Sequence, residues 1–255
     1  MIKIKSEKEI ETLREGGKIH SLILKEVSSL VLAGVSTLDL ENKARELVSF
    51  YGAKGAFLGY KPAGAKRPYP AVLCVSLNNE IVHGIPNEDP KILKNGDVVS
   101  LDLGLTYGGL ITDGAVTLPV GETDIKVLKM LEHCKEALNL GIKEAKVGNF
   151  VGDIGFAISE IAKRFGYGVC EGLAGHGVGY SVHEDPYVPN FGTRGEGQKL
   201  LEGMVIAIEP MFTLGSSKIV LCEDGYTYKT KDGSISCHFE HTVAITKKGP
   251  IILTK

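Results

Sequence analysis

The chain has 255 residues, of which 43% are hydrophobic and 24% are charged, a composition typical of a globular protein. Its formal net charge of −2 gives no electrostatic reason to expect nucleic acid as a substrate or an anionic membrane as a partner. The amino end lacks an apolar leader, and no later stretch reaches the roughly 18 apolar residues of a membrane span. We therefore expect a cytoplasmic protein with residues 1–255 in a single domain.

The five cysteines are scattered and contain no CxxC pair, which argues against a disulfide framework and against a thiolate zinc site. Buried free thiols are the expected state for most of them.

The amino-terminal part of the chain is predicted to be helical. Ser6-Glu7-Lys8-Glu9 fits a capping box, and the apolar spacing that follows predicts a helix that stops by Gly34. A second helix is predicted over about 36–52. Residues 61–70 are rich in Gly and Pro and predict a surface loop, whereas 71–76 predict a short strand.

A hairpin with two carboxylates follows. Residues 97–105 and 110–118 predict buried strands, and Gly108-Gly109 supplies the positive φ of a tight turn. Asp102 is then opposite or diagonal to Asp113 on one face, at roughly 5 to 8 Å. Two like charges at that range are destabilising unless a cation lies between them, so the hairpin predicts either a metal site or two strand-end acids turned to solvent.

A similar order of elements then repeats. Helices are predicted over about 123–141 and 151–165, and strands bearing acids follow them as they did in the first half. The repetition predicts an α+β fold of two duplicated helix-helix-strand halves, with antiparallel sheets packed together inside and four helices outside.

Three histidines lie near predicted strand ends or on glycine-rich backbone. The stretch 78–86 is expected to bring His83 to a strand end, where a hydrogen bond to the backbone is the alternative role. The alternating glycines around His176 argue against a helix, so His176 and His183 are expected on an irregular path.

Two more acids interrupt apolar strands. Glu209 ends a strand predicted over 204–211, and Glu240 lies in one predicted over 236–245, where His238 shares its face. An ordinary structural role is expected for His238, and orientation of Glu240 is the alternative. A lone carboxylate in an apolar strand is costly to keep ionised, and none of the four acid-bearing strands contains a Lys or Arg. For each acid alone a capping or salt-bridged role is an alternative, but together they predict an oxygen-rich site for two divalent ions.

The sequence also resembles the type I methionine aminopeptidases, which have the pita-bread fold. The matching motifs are His-Gly-Ile-Pro at 83–86, Asp102 with Asp113, Gly-His-Gly-Val-Gly at 175–179, His-Glu-Asp-Pro at 183–186, Ile-Glu-Pro-Met at 208–211 and Phe-Glu-His-Thr at 239–242. The resemblance runs nearly end to end, in order and in spacing. It implies a single catalytic domain with the duplicated fold predicted above.

The resemblance implies a ligand set for two divalent metal ions, which Co²⁺, Mn²⁺ and Fe²⁺ would all satisfy. Asp113 and Glu240 would bridge the two ions, Asp102 would hold one, and His176 with Glu209 would hold the other. A metal-activated water would be the nucleophile, with Glu209 as general base. By the same resemblance, His83 and His183 would hydrogen-bond the substrate and the oxyanion of the tetrahedral intermediate.

A pocket for the methionine side chain is also implied by the resemblance. Its expected lining is Tyr60, Tyr69, Cys74 and Tyr226, for each of which ordinary core or loop packing is the alternative. The sequence departs from the family pattern here, because Phe57, Val182 and Tyr226 replace a small residue, an aromatic and a tryptophan, and the loop 61–68 is longer than usual. The departures leave the tolerance for the second residue of the substrate open.

The implied activity is hydrolysis of the initiator methionine from nascent proteins whose second residue is small, by a monomer near the ribosome exit. A proline-directed peptidase of the same fold is the alternative enzyme, disfavoured because the chain lacks the large amino-terminal domain of such proteins and contains His-Gly-Ile-Pro at 83–86. An inactive module that binds protein or RNA is the other alternative, disfavoured because all five ligands are present.

Overall fold

The computed structural model describes residues 2–255. Its four helices are α1 (Glu7–Ser28), α2 (Thr37–Phe50), α3 (Ile125–Glu144) and α4 (Val151–Phe165). Its strands are β1 (Lys54–Gly55), β2 (Leu73–Leu77), β3 (Glu80–Val82), β4 (Val98–Tyr107), β5 (Leu110–Pro119), β6 (Gly168–Val169), β7 (Ala174–Gly177), β8 (Glu184–Pro189), β9 (Val205–Ile208), β10 (Met211–Thr213), β11 (Ile219–Leu221), β12 (Tyr228–Thr230), β13 (Ser236–His238), β14 (His241–Thr246) and β15 (Gly249–Ile252). Among residues 2–255, none of the helices combines the length and apolar character that a membrane crossing requires.

The first half packs α1 and α2 on a four-stranded antiparallel sheet. In it β4 pairs with β5 along its full length and, on its other side, with β1 and β2. Leu40, Leu73 and Leu101 are fully buried in the core between the sheet and the helices. The helices start where the sequence predicts: Ser6 accepts a hydrogen bond from the Glu9 backbone N–H in a capping box.

The second half packs α3 and α4 on a five-stranded antiparallel sheet in the order β15-β14-β9-β7-β8. Met130, Ile154 and Phe212 are fully buried in its core. The helix α4 has the predicted bounds and ends at Gly166, whose φ of 75° is the left-handed conformation of a helix C-cap. The helix α3 extends three residues beyond the predicted end at Gly141.

Hydrogen bonds across the centre of the molecule join the two halves. The Thr242 hydroxyl on β14 accepts from the backbone N–H of Asp113 at 2.8 Å and donates to the Asp113 carbonyl at 2.7 Å. Next to it, the backbone N–H of Glu240 donates to the Ala115 carbonyl at 3.0 Å. The two sheets therefore meet at β5 and β14, inside the layer of helices, as the predicted duplication requires.

Two strands predicted as continuous are interrupted. Residues 204–211 form β9 and β10 with Glu209 and Pro210 between them, and residues 236–245 form β13 and β14 with a matching break at Phe239 and Glu240. Proline has no N–H to donate to a strand ladder, which accounts for the first break. The breaks face each other, since the pairs Ile208–His241 and Met211–His238 keep one register on either side. Glu209 and Glu240 therefore lie opposite each other, at the position where the strand pairing is interrupted.

Candidate active site

One cavity of about 570 Å³, partly open to solvent, is lined by every site residue expected from the sequence. These are Tyr60, Tyr69, Cys74, His83, Asp102, Asp113, His176, His183, Glu209, Tyr226 and Glu240. Phe57, Pro62, Val82, Val182 and His238 complete the lining. In the described chain, residues 2–255, the side chains around this cavity include four carboxylates and no Lys or Arg.

The hairpin β4–β5 positions two of the carboxylates. Asp113 pairs with Gly104 and Asp102 pairs with Ala115, so the two acids are diagonal neighbours on one face of the sheet. Of the two predicted arrangements, opposite or diagonal, the diagonal one is observed. Both side chains are buried, so the expectation of acids turned to solvent is wrong.

The second half brings its polar groups to the same face. One ligand atom each of Asp113, His176 and Glu240 lie within 4.8 Å of one another. His176 is on the regular strand β7, so the irregular path expected for it is wrong, although a register shift follows it. Its Nε2 lies 3.4 Å from Oε1 of Glu209, which emerges from the break after β9.

Burial and mutual repulsion act together on three of the acids. Burial raises the pKa of Asp102 to about 7, and the Glu209 carboxylate adds to this rise while His238 opposes it. Burial, with the neighbouring Asp102 charge, raises the pKa of Asp113 well above its ordinary value. Burial and the Asp113 charge do the same for Glu240. Without a cation, these three groups would hold protons that free carboxyls release.

Glu209 differs from the other acids. Burial alone would raise its pKa, but His238 and His176 outweigh burial and lower it. The His238 Nε2 lies 3.4 Å from Glu209 and 3.7 Å from Glu240. Orientation of Glu240 was the alternative role that the sequence left for His238; the shorter distance of His238 is to Glu209, across the gap between the two strand breaks.

The chemistry of the cavity lining fits a divalent metal ion. The Oδ1 of Asp102 and the Oε1 of Glu240 are buried without a hydrogen-bond partner, and so are both ring nitrogens of His238. A buried carboxylate oxygen without a partner is costly, and the cavity presents no cationic side chain to pair with it. Carboxylate oxygens with one imidazole are a donor set that divalent metal ions accept.

Two histidines lie beside the carboxylates. His83 follows β3 with a φ of 59°, an uncommon conformation for a non-glycine residue that is often found at functional sites. Burial lowers the pKa of His83 to about 4, so its ring is neutral at pH 7. His183 lies at the cavity rim with its ring centroid 4.4 Å from that of His176, and its Nδ1 is 2.8 Å from the Tyr60 hydroxyl.

Aromatic rings form the apolar side of the cavity. The Tyr69 hydroxyl donates to the Gly84 carbonyl at 2.8 Å, and its ring meets that of Tyr226 edge-on at 5.2 Å. The Phe57 ring lies against Gly104, where an added Cβ would come within 2.5 Å of the ring. Glycine at 104 is therefore required by the large residue at 57.

The loop 61–68 closes one end of the cavity through Pro62. Arg67 anchors the loop by an ion pair with Glu88, and the Tyr226 hydroxyl donates to the Arg67 carbonyl. Pro62 and Val82 were not expected at the cavity. Nothing in the sequence indicates that Pro62 of this loop faces the cavity. Val82 could have been anticipated, because it directly precedes His83 in the chain.

Comparison with known proteins matches residues 11–247 to metallopeptidase family M24. The chain belongs to metallopeptidase family M24. The M24 peptidases most similar in sequence include the methionine aminopeptidase of Aquifex aeolicus, 49% identical over 100% of this chain and 99% of that protein. Methionine aminopeptidase 1 of Bacillus subtilis is 38% identical over all of both chains.

Solved M24 structures have the same fold. A crystal structure of methionine aminopeptidase from Thermotoga maritima superposes with a TM-score of 0.95 at 42% identity over the full length of both chains. A prolidase from Pyrococcus horikoshii matches at a TM-score of 0.76 and 26% identity, over 99% of this chain and 63% of that one. The predicted pita-bread fold and the predicted resemblance to methionine aminopeptidases are confirmed, and the chain is a metallopeptidase-family hydrolase.

Proposed function

We propose that this protein is a dinuclear metal-dependent aminopeptidase that removes the N-terminal methionine from chains whose second residue is small. The observation that carries the proposal is the convergence of four carboxylates and three of the expected histidines in one cavity without a cationic side chain. Full-length similarity to proteins named methionine aminopeptidase supports methionine as the substrate residue.

The cavity residues divide between the two ions according to the resemblance drawn from the sequence. Asp102, Asp113, His176, Glu209 and Glu240 would hold the ions. The proximity of Asp113, His176 and Glu240 supports this assignment. Divalent ions supply Lewis-acid activation of water and of a peptide carbonyl.

The remaining steps belong to side chains of this protein. Glu209 accepts a proton from the attacking water and passes it to the leaving amine, a role that suits a carboxylate kept ionised by His238 and His176. His83, neutral at pH 7, and His183 donate hydrogen bonds to the substrate amide and to the oxyanion that develops on the carbonyl.

The apolar end of the cavity would bind the methionine side chain. Tyr60, Tyr69, Cys74 and Tyr226 line it, and an unbranched apolar side chain is the best match for walls of this kind. Pro62 of the loop 61–68 lines the cavity beside them. We further propose that the protein acts as a cytoplasmic monomer on nascent chains near the ribosome exit.

Peptide hydrolysis tests the proposal. The protein supplied with Co²⁺, Mn²⁺ or Fe²⁺ should release methionine from Met-Ala-Ser and should lose this activity with a chelator. Met-Ala-Ser should be cleaved in preference to Ala-Pro-Ala, the substrate of the proline-directed alternative. Absence of methionine release with all three ions would refute the proposal, and a preference for Ala-Pro-Ala would replace it.

A further inference from the structure

The amino-terminal segment covers the loop that carries His183. The backbone N–H of Lys5 donates to the Gly203 carbonyl at 2.8 Å, and the Lys5 side chain, 1% exposed, runs beneath the loop 178–183. Gly179 in that loop has a φ of 138°, and a Cβ there would lie 2.6 Å from the Lys5 Cε. The stem of the lysine therefore packs directly on the backbone of the loop.

A buried ion pair ends this contact. The Lys5 Nζ lies 2.6 Å from Oε2 of Glu184, whose side chain is 2% exposed. The other carboxylate oxygen, Oε1, accepts hydrogen bonds from the backbone N–H groups of Tyr180 and Ser181 at 2.7 and 2.9 Å. Glu184 thus ties the start of the loop to its end, and the Lys5 ammonium group balances its buried charge at hydrogen-bond distance.

We propose that Lys5 is a positioning residue for the peptidase reaction, which acts through Glu184 to hold His183 at the cavity rim. This inference rests on the proposed function of the site. His183 directly precedes Glu184 in the chain, so a shift of the Glu184 carboxylate moves the backbone of His183. The contact of His183 with Tyr60 at 2.8 Å and its place beside His176 leave little room for such a shift.

Lys5 itself touches none of the reacting groups, because it does not line the cavity. Its ammonium group also lies 5.0 Å from the centre of the Tyr180 ring, and the Tyr180 hydroxyl donates to Glu9 at 2.7 Å. The loop is therefore held from one side by the amino-terminal segment and α1. The catalytic contribution of Lys5 is geometric, exerted through the position of a neighbouring histidine.

Kinetics of Lys5→Met test this role, since methionine keeps the apolar stem and removes the charge. We expect kcat for Met-Ala-Ser to fall roughly tenfold or more with KM changed by less than about twofold, because the interaction with the transition state is weakened. Lys5→Arg should recover most of the loss. The matched control is Lys3→Met, since Lys3 is 46% exposed and lies 3.6 Å from the same carboxylate; it should retain the kcat of the unsubstituted protein.

A double-mutant cycle separates positioning from a general structural role. In a His183→Ala background, Lys5→Met should cause no further loss of kcat, because the side chain that it positions is absent. An equal loss in both backgrounds, or an unchanged kcat in Lys5→Met, would overturn the proposal. If Lys5→Met does not fold, Glu184→Gln should show the same loss of kcat. If neither variant folds, the Lys5–Glu184 pair is required for folding, and the positioning proposal is overturned.

A spectroscopic measurement keeps this inference separate from the proposed function. If the unsubstituted protein releases no methionine, the proposed function fails, and the His183 ring ¹⁵N resonances still report on positioning. Those resonances, assigned by their loss in His183→Ala, should shift or broaden in Lys5→Met and stay unchanged in Lys3→Met. Unchanged resonances in Lys5→Met would overturn the positioning role.

Discussion

At the scale of single residues, the buried acids of the cavity lower the stability of the folded protein when they ionise, and a bound cation would offset that cost. Burial raises the pKa of Asp102, Asp113 and Glu240, which means that their ionised forms are disfavoured where they stand. The sequence predicted the four acids as a set, from the apolar surroundings that they share. It did not predict that His238 lies beside Glu209, because Glu209 belongs to a different strand and the pattern along one strand does not show which residue of another strand its side chains approach.

Substitution of Asp113 by asparagine should separate metal binding from folding. We expect Asp113→Asn to leave the melting temperature of the chelator-treated protein equal or higher, because asparagine replaces a carboxyl whose ionised form is disfavoured by burial and by the Asp102 charge. Excess Mn²⁺ should stabilise the unsubstituted protein by about 2.7 kcal/mol at a hundred times the Kd, and the variant should lose most of this gain. Differential scanning calorimetry with and without the ion measures both effects.

Glu11→Gln is the control for this comparison, since Glu11 is an exposed acid on α1. It should keep the full stabilisation by Mn²⁺. A metal-induced rise in Asp113→Asn as large as in the control would contradict the assignment of Asp113 as a ligand.

At the scale of elements, the site depends on where strands end. Glu209 and Glu240 are available to the cavity because both strands break at one level, and hydrophobicity alone predicted unbroken strands there. Pro210 was the local signal for the first break. The second break had none, because it follows from pairing with β5 of the other half.

The helix α2 stabilises the start of strand β2 through the buried side chain of Glu41. Glu41 is fully buried, and its carboxylate accepts hydrogen bonds from the backbone N–H groups of Val72 and Leu73 at the start of β2. Arg45, one turn later, pairs with it at 2.5 Å. Ala44 and Val48, at positions i+3 and i+7 from Glu41, lie on the predicted apolar face of the helix. This helical spacing indicated that Glu41 also faces the core.

Removal of this support should destabilise the protein. We expect Glu41→Ala to lower the free energy of unfolding by about 3 kcal/mol, since two buried backbone donors lose their acceptor. The control, Glu46→Ala, removes a glutamate that is 67% exposed on the same helix and should cost less than about 1 kcal/mol. Urea denaturation measures both; equal losses would contradict the role assigned to Glu41.

At the scale of the whole molecule, His20 lies where α1 meets the central sheet. Its side chain is buried, its Nε2 lies 2.6 Å from the Leu103 carbonyl, and its ring lies against Gly114 of β5. Burial lowers the pKa of His20 to about 4 from the ordinary 6.5. The ring is neutral in the folded protein, whereas in the unfolded chain it takes up a proton as the pH falls below 6.5.

This difference predicts a loss of stability in acid. Because the unfolded state binds more protons between pH 6.5 and about 4, His20 lowers the free energy of unfolding as the pH falls through that window. Relative to His20→Gln, which lacks the titrating ring, the unsubstituted protein should lose about 2 kcal/mol between pH 7 and pH 4.5. Urea denaturation at both pH values measures the difference, and a difference that stays constant with pH would contradict it.

The sequence by itself determined the α+β duplication, the helix starts and the four acids that line the cavity, because apolar periodicity, capping residues and acids in apolar strands are local properties. The single domain over residues 1–255 stays a prediction. Only the tertiary structure decided that the breaks at Glu209 and Glu240 face each other, and that Lys5 pairs with a carboxylate 179 positions away. Contacts of that kind depend on strand register and close packing between distant segments, which periodicity along one segment does not encode.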